Sequence, residues 1–191
     1  MIGVLALQGN FDAHLRVIKK LNLDYRLVKK SNDIDCLDGL IFPGGESTTI
    51  TKLFKKDKSL IEGIKDFSNH KPILGTCAGI ILMSKKANDK RVYNFGFLDI
   101  SMERNAYGRQ IHSFEGKISV NYLKSIKDAK ALFIRAPKIK EVGKDVEIFA
   151  TYKNEIVGVK QGMHVGITCH PELLNETLIH DICFREHKWN I

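Results

Sequence analysis

The chain has 191 residues, 43% of them hydrophobic, and a formal net charge of +8 from 30 Lys and Arg against 22 Asp and Glu. That length predicts one domain, residues 1–191, with a sizeable core. No apolar run approaches the roughly 20 residues that span a bilayer.

The start, "MIGVLALQGNFDAHL", has no basic region before its apolar run and no small-residue cleavage site. It reads as a first strand rather than a signal peptide, and the expected location is the cytoplasm. The cysteines are Cys36, Cys77, Cys169 and Cys183, with no CxxC pair. This argues against a structural zinc site and a disulfide framework, and free thiols suit a reducing compartment. The lysine pairs Lys19-Lys20, Lys29-Lys30, Lys55-Lys56 and Lys85-Lys86 fall in different segments. Without a basic stripe and interleaved aromatics, a nucleic-acid partner is disfavoured. The scattered charge reads as solvated surface, or more weakly as attraction for anionic metabolites or an acidic partner.

In chain order, "IGVLAL" (Ile2–Leu7) has the continuous apolar character of a parallel strand buried on both faces. "NFDAHLRVIKKLN" follows, with Phe11, Leu15, Ile18 and Leu21 at helical spacing. "YRLVK" and "DGLIFP" read as strands, the latter stopping at a glycine-rich turn. Helices are predicted over roughly Ser47–Lys56 and Lys58–Asn69, a buried strand over "KPILG", and a helix over "AGIILMSKK". From Phe95 to Phe149 the chain holds short β-like pieces: "FGFLDISME", "EGKISVNYL", "AKALFIRAP" and "DVEIFATYK". "NEIVGVKQGMHVGITCHPE" reads as two strands joined at Gly162. "LNETLIHDICFREHKW" reads as a helix with Leu178, Ile182, Phe184 and Trp189 inward. The expected fold class is α/β: an open, mostly parallel but mixed sheet with helices on both faces and an antiparallel β insertion in the second half. No linker, repeat or low-complexity stretch divides it.

Ligands of such sheets bind outside the carboxyl ends of the strands. Three predicted strand ends carry unusual residues. Gly75-Thr76-Cys77-Ala78-Gly79 has the G-x-nucleophile-x-G form of a nucleophile elbow, with cysteine in place of serine. Small neighbours permit a strained turn, and the amides beginning near Ala78 favour negative charge on the sulfur. The rival reading is a packed cysteine at a helix start.

"CHPE", Cys169–Glu172, follows the apolar "VGIT". Residues two apart in an extended segment share a side, so His170 and Glu172 can lie together. The imidazole then serves as base and the carboxylate orients it, which is triad logic with a thiol. A metal site from His164, His170 and Glu172 fits no common ligand spacing. "PGGESTT", Pro43–Thr49, lets backbone amides approach an oxyanion, and Ser47 or Thr48 can cap the next helix. A plain β-α turn or a phosphate loop are the rivals, but neither G-x-x-x-x-G-K-[ST] nor G-x-G-x-x-G is present.

"PGGEST", "GTCAG" and "HPE", in this order, resemble the class I, triad-type glutamine amidotransferases. "GVLALQG", "GLIFPGGESTTI", "GTCAGIILMS", "RNAYGRQ", "SFE", "FIRAP" and "HPEL" resemble, more narrowly, the glutaminase-subunit family of pyridoxal 5′-phosphate synthase. These stretches run from Gly3 to about Leu173.

The resemblance implies a flavodoxin-like fold and a reaction. Cys77 attacks the side-chain amide of L-glutamine, His170 moves protons and Glu172 orients it. Ammonia leaves first, and water then releases L-glutamate. It also implies an oxyanion hole near Gly45 and Ala78, with glutamine binding at Gly45, Glu46, Ser47, Arg104, Ile134 and Arg135. No cofactor or metal is implied. The implied partner is a (β/α)₈-barrel synthase subunit, which receives the ammonia through a channel and joins it to a pentose phosphate and a triose phosphate. Gln8, its loop and the "RNAYGRQ" loop are the expected partner-facing side, and docking is expected to complete the oxyanion hole. Without the resemblance, Arg104 and Arg135 read as surface or structural ion-pair residues.

Three departures from the family pattern stand out: Cys169 where an aromatic is common, His112 in place of an acidic neighbour, and a short end at "REHKWNI". A γ-glutamyl peptidase-like hydrolase without a synthase partner is the alternative enzyme. A non-enzymatic binding module with this fold is opposed by the intact Cys77, His170 and Glu172.

Overall fold

A computed structural model describes residues 1–104, 106 and 113–185. The first half alternates as the apolar runs require: β1 (Ile2–Leu5), α1 (Phe11–Lys20), β2 (Tyr25–Val28), β3 (Gly39–Phe42), α2 (Ser47–Phe54), α3 (Lys58–Ser68), β4 (Ile73–Thr76) and α4 (Ala78–Met83). The second half is mostly strand: β5 (Ser84–Ala87), β6 (Leu98–Glu103), β7 (Phe114–Tyr122), β8 (Ser125–Phe133), β9 (Lys138–Val142), β10 (Glu147–Tyr152), β11 (Glu155–Gln161) and β12 (His164–Ile167), followed by α5 (Leu178–Phe184).

Nine strands form one sheet in the order β2-β1-β3-β4-β12-β11-β10-β7-β8. From β2 to β12 neighbours run parallel. Beyond β12 every pairing is antiparallel. This is the mixed sheet anticipated from the sequence, with the insertion distributed between its antiparallel half and a small sheet, β5-β6-β9.

Alternation along the buried strands gives the sheet two apolar faces. Leu40, Phe42 and Ile73 pack with Ile50, Phe54, Leu60, Ile64 and Ile80 of α2, α3 and α4. Ile41 and Leu74 face the other way, towards Ile18 of α1 and Ile179 and Ile182 of α5. Helices therefore cover both faces.

Local readings shift in three places. The helix predicted over "AGIILMSKK" stops at Met83, and Ser84–Ala87 becomes a strand paired with β6. The Ser84 hydroxyl and the Asn94 amide both donate to the Ile81 carbonyl, at 2.7 Å each, satisfying a helix-end acceptor that would otherwise be orphaned. In α1 the buried face includes Ala13, His14 and Val17 beside Ile18, while Phe11 and Leu15 are only partly buried. In α5 Ile179, His180, Ile182 and Cys183 are buried, and Leu178 and Phe184 pack at the edge. Trp189 lies outside the described residues. Among the described residues no helix is long and apolar enough to cross a membrane.

Candidate active site

The parallel strands β1, β3, β4 and β12 are adjacent, so their carboxyl ends open onto one edge of the sheet. The loops leaving them carry Gln8, Gly45, Cys77 and His170, and these line one cavity of about 250 Å³. Glu46, Ser47, Ala78, Arg104, Ile134 and Arg135 line it too. Each residue that the family pattern assigned to glutamine thus reaches the same space as the elbow cysteine.

Cys77 has φ 50° and ψ −101°, outside helix and strand, at the junction of β4 and α4. A side chain with a Cβ rarely adopts positive φ, and such strain concentrates at functional sites. Its amide donates to the Ile167 carbonyl at 2.9 Å, tying the turn to β12. The flanking glycines are required by space. A Cβ on Gly79 would stand 2.0 Å from the Phe42 carbonyl oxygen, and one on Gly75 would stand 2.7 Å from the Gly79 carbonyl carbon. The helix can start this close to the sheet only without those methyls. The thiol itself is 4.0 Å from the Ile134 carbonyl oxygen.

His170 is 3% exposed. Its backbone forms an antiparallel bridge with Leu132: the His170 amide donates to Leu132 at 2.8 Å and the Leu132 amide donates back at 3.2 Å. The ring lies over Gly44, where a Cβ would come within 2.1 Å of Cε1. Gly44 therefore makes room for the imidazole, a role its sequence context did not disclose.

Nδ1 of His170 is 2.7 Å from Oε1 of Glu172, which is fully buried at the start of a short 3-10 turn. Burial opposes the imidazolium, but interaction with Cys77 and the bond and charge of Glu172 outweigh it and push the His170 pKa up to about 10. Burial likewise opposes the Glu172 carboxylate, but nearby His14 and the His170 bond hold its pKa at about 2.

Cys169, by contrast, is fully buried. Burial first, and Glu172 second, push its pKa well up, so this thiol stays neutral and packs. His164 stands at the opposite end of β12 from the His170 loop, with its ring stacked on Phe97 at 5.4 Å. The three-residue metal alternative therefore does not converge. Among the described residues no cluster of three His, Cys, Asp or Glu side chains is placed to hold a metal.

The glycine-rich turn differs in one detail from expectation. The helix cap is Glu46, whose carboxylate accepts from the Thr48 amide at 3.4 Å and its hydroxyl at 3.1 Å. Ser47 is inside the first turn, buried at the cavity wall, and its hydroxyl has no partner among the described residues. The Glu46 amide donates to the Gln8 side chain at 2.8 Å, so the β1 loop is fastened to the β3 loop. Arg104 is paired with Glu46 at 2.8 Å and also with Asp89, and its side chain is largely buried. Asp89 itself is held well below the usual carboxylate range, first by its bond to Arg91 and further by Arg104. Arg135 has φ 44°, which turns the "FIRAP" segment at the cavity mouth.

Sequence reasoning did not single out Gly44, Thr76, Asp89, His14 or His180. The last two carried a signal. His14 is four residues before Ile18, and His180 three before Cys183, each on the inward stripe of its helix. The "RNAYGRQ" loop beyond Arg104, other than Ala106, and His112 lie outside the described residues.

An elbow thiol and an imidazole–carboxylate pair at the carboxyl edge of an open α/β sheet define the class of cysteine-containing glutamine amidotransferase folds. A solved structure titled glutamine amidotransferase superposes with a TM-score of 0.87 at 36% identity, covering 94% of each chain. The PurLQS structure from Thermotoga maritima shares the fold alone, with a TM-score of 0.68 at 17% identity. The chain belongs to the SNO glutamine amidotransferase family, whose profile matches residues 4–188. It is 42% identical over 189 residues to the pyridoxal 5'-phosphate synthase subunit PdxT of Oenococcus oeni, covering 99% of this chain and 97% of the relative. To the protein of the same name from Thermotoga maritima it is 44% identical over 183 residues, covering 94% and 95%.

Proposed function

We propose that residues 1–191 work as one glutaminase domain, located in the cytoplasm, that supplies ammonia to a pyridoxal 5′-phosphate synthase. The observation that carries the reading is that Cys77 and His170 line one cavity, with His170 Nδ1 held 2.7 Å from the buried carboxylate of Glu172. The sulfur of Cys77 attacks the side-chain amide carbon of L-glutamine. Negative charge then develops on the carbonyl oxygen, where the amides of Gly45 and Ala78 receive it. His170 gives its proton to the departing nitrogen, and ammonia leaves. The neutral imidazole next takes a proton from water, whose oxygen attacks the thioester and frees L-glutamate and the thiol.

Glu46 carries the exposed carboxylate suited to the substrate's ammonium group. Arg135 offers a guanidinium fork to its α-carboxylate, and Arg104 would reach it by exchanging its pair with Glu46. The Ser47 hydroxyl and Ile134 complete the contact surface. The names of the PdxT relatives support the role as a synthase subunit. The implied partner is a (β/α)₈-barrel synthase that joins the ammonia to a pentose phosphate and a triose phosphate. Co-purification with such a subunit, then glutamine turnover with and without it, tests the reading. Turnover should rise on addition of the barrel. Full activity of the chain alone on glutamine or γ-glutamyl peptides would overturn it.

A further inference from the structure

Beyond Glu172 lies a buried polar cluster that the proposed hydrolysis does not use. His14 of α1, Thr76 at the end of β4 and His180 of α5 each have no exposed surface. His14 Nδ1 is 2.8 Å from His180 Nε2. His14 Nε2 is 3.3 Å from Thr76 Oγ1 and 3.6 Å from Glu172 Oε1. Thr76 Oγ1 is 3.4 Å from that same carboxylate oxygen.

The protons can be placed by elimination. An ionised carboxylate only accepts, so the Thr76 hydroxyl donates to Glu172 and its oxygen accepts from His14 Nε2–H. A neutral His14 with its proton on Nε2 has Nδ1 as acceptor, so His180 donates through Nε2–H. His180 Nδ1 is then a bare lone pair, and it is this atom that lacks a partner among the described residues. A buried acceptor tolerates that better than a buried N–H. Every N–H and O–H in the series then points towards Glu172.

We propose that His14 and Thr76, backed by His180, are positioning residues: a one-directional chain of hydrogen-bond donors that aims Oε1 of Glu172 at His170. This rests on the reading of Cys77, His170 and Glu172 as the hydrolytic triad. Glu172 Oε2 has no partner among the described residues, so the carboxylate's direction is set through Oε1. The groups facing it are His14 from α1, Thr76 from β4 and His170 from the loop after β12, with Cys169 and His180 of α5 nearby. Burial lowers the pKa of both His14 and His180, which favours the neutral rings that this placement of protons uses.

The pair Thr76→Val and Thr76→Ser tests this with little change of shape; His14→Phe and His180→Phe extend it. The readouts are the His170 titration by NMR, the alkylation of Cys77 by iodoacetamide across pH, followed by peptide mass spectrometry, and glutamine turnover in the complex with the barrel subunit. Outer partners of metal-bound His and carboxylates typically contribute about 10–100-fold, and by the same logic Thr76→Val should lower kcat and Cys77 alkylation by about ten-fold with KM unchanged. His170 should titrate lower in that variant, and Thr76→Ser should restore both. A lower melting temperature with an unmoved His170 titration and an unmoved alkylation profile would overturn the proposal. Should the histidine variants fail to fold, the Thr76 pair decides alone. Glutamine turnover surviving in Cys77→Ala would instead overturn the triad reading beneath it.

Discussion

Cys77 is the residue on which the proposed chemistry converges. Cys77→Ala should abolish glutamine hydrolysis while leaving the melting temperature near that of the wild type. The same variant should lower the His170 pKa from about 10, because the bond and charge that outweigh burial come partly from Cys77. NMR titration of the imidazole reads this directly, and an unchanged value would sink the assigned contact. His170→Asn removes the base, a loss of roughly 10²–10⁴-fold in kcat. Glu172→Gln should be milder, and rates equal to wild type would reduce Glu172 to a packing role. An electrophilic glutamine analogue should label Cys77 and spare Cys169. The His170–Glu172 contact and the shared cavity of Cys77 and His170 were legible because each residue sits in a short local pattern. The His14–His180 contact was not, since it spans 166 positions and only the folded chain brings the two helices together.

At the scale of elements, the strand-to-helix turn is a packing solution before it is a catalytic one. Gly79→Ala would force a methyl into the Phe42 carbonyl, backbone against backbone, with no flexible side chain to yield. The expected cost is about 1–3 kcal/mol in urea unfolding, with loss of Cys77 labelling because the turn must shift. A fully active Gly79→Ala enzyme would contradict the geometry. Apolar runs and turn residues located most of the elements. The helix after Cys77 was read too long because "SKK" suits either structure, and only the pairing with β6 and the Asn94 bond decide it. The helix cap is Glu46 rather than Ser47 or Thr48: its carboxylate accepts from Thr48, while Ser47 lies inside the first turn against the cavity.

For the whole molecule, titration of the buried groups predicts a stability optimum near pH 6.5 despite the net charge of +8. His170 is raised from 6.5 to about 10, so its contribution is complete below 6.5 and fades as pH climbs through 10. His180 is lowered from 6.5 to about 3 by burial, so its contribution is complete above 6.5 and fades as pH falls through 3. His14 shifts the same way. Glu172, lowered from 4.5 to about 2, adds a further loss as pH falls below 4.5. Denaturant midpoints across pH check this, and an optimum at strongly alkaline pH would contradict it. The β-α alternation made the parallel half of the sheet readable. Strand order in the antiparallel half was not readable, because pairing there depends on contacts far apart in sequence rather than on local periodicity.

The bridge between Leu132 and His170 has a mechanical consequence. Strand β8 is the far edge of the nine-stranded sheet, yet its end is clasped to the histidine loop beside β12. The antiparallel wing thus bends round until its outermost strand touches the centre. A tilt of the β7–β8 hairpin would be transmitted through two short amide links to the imidazole, like a lever working on a latch. The hairpin turn after Tyr122 is therefore tied through β8 to the imidazole.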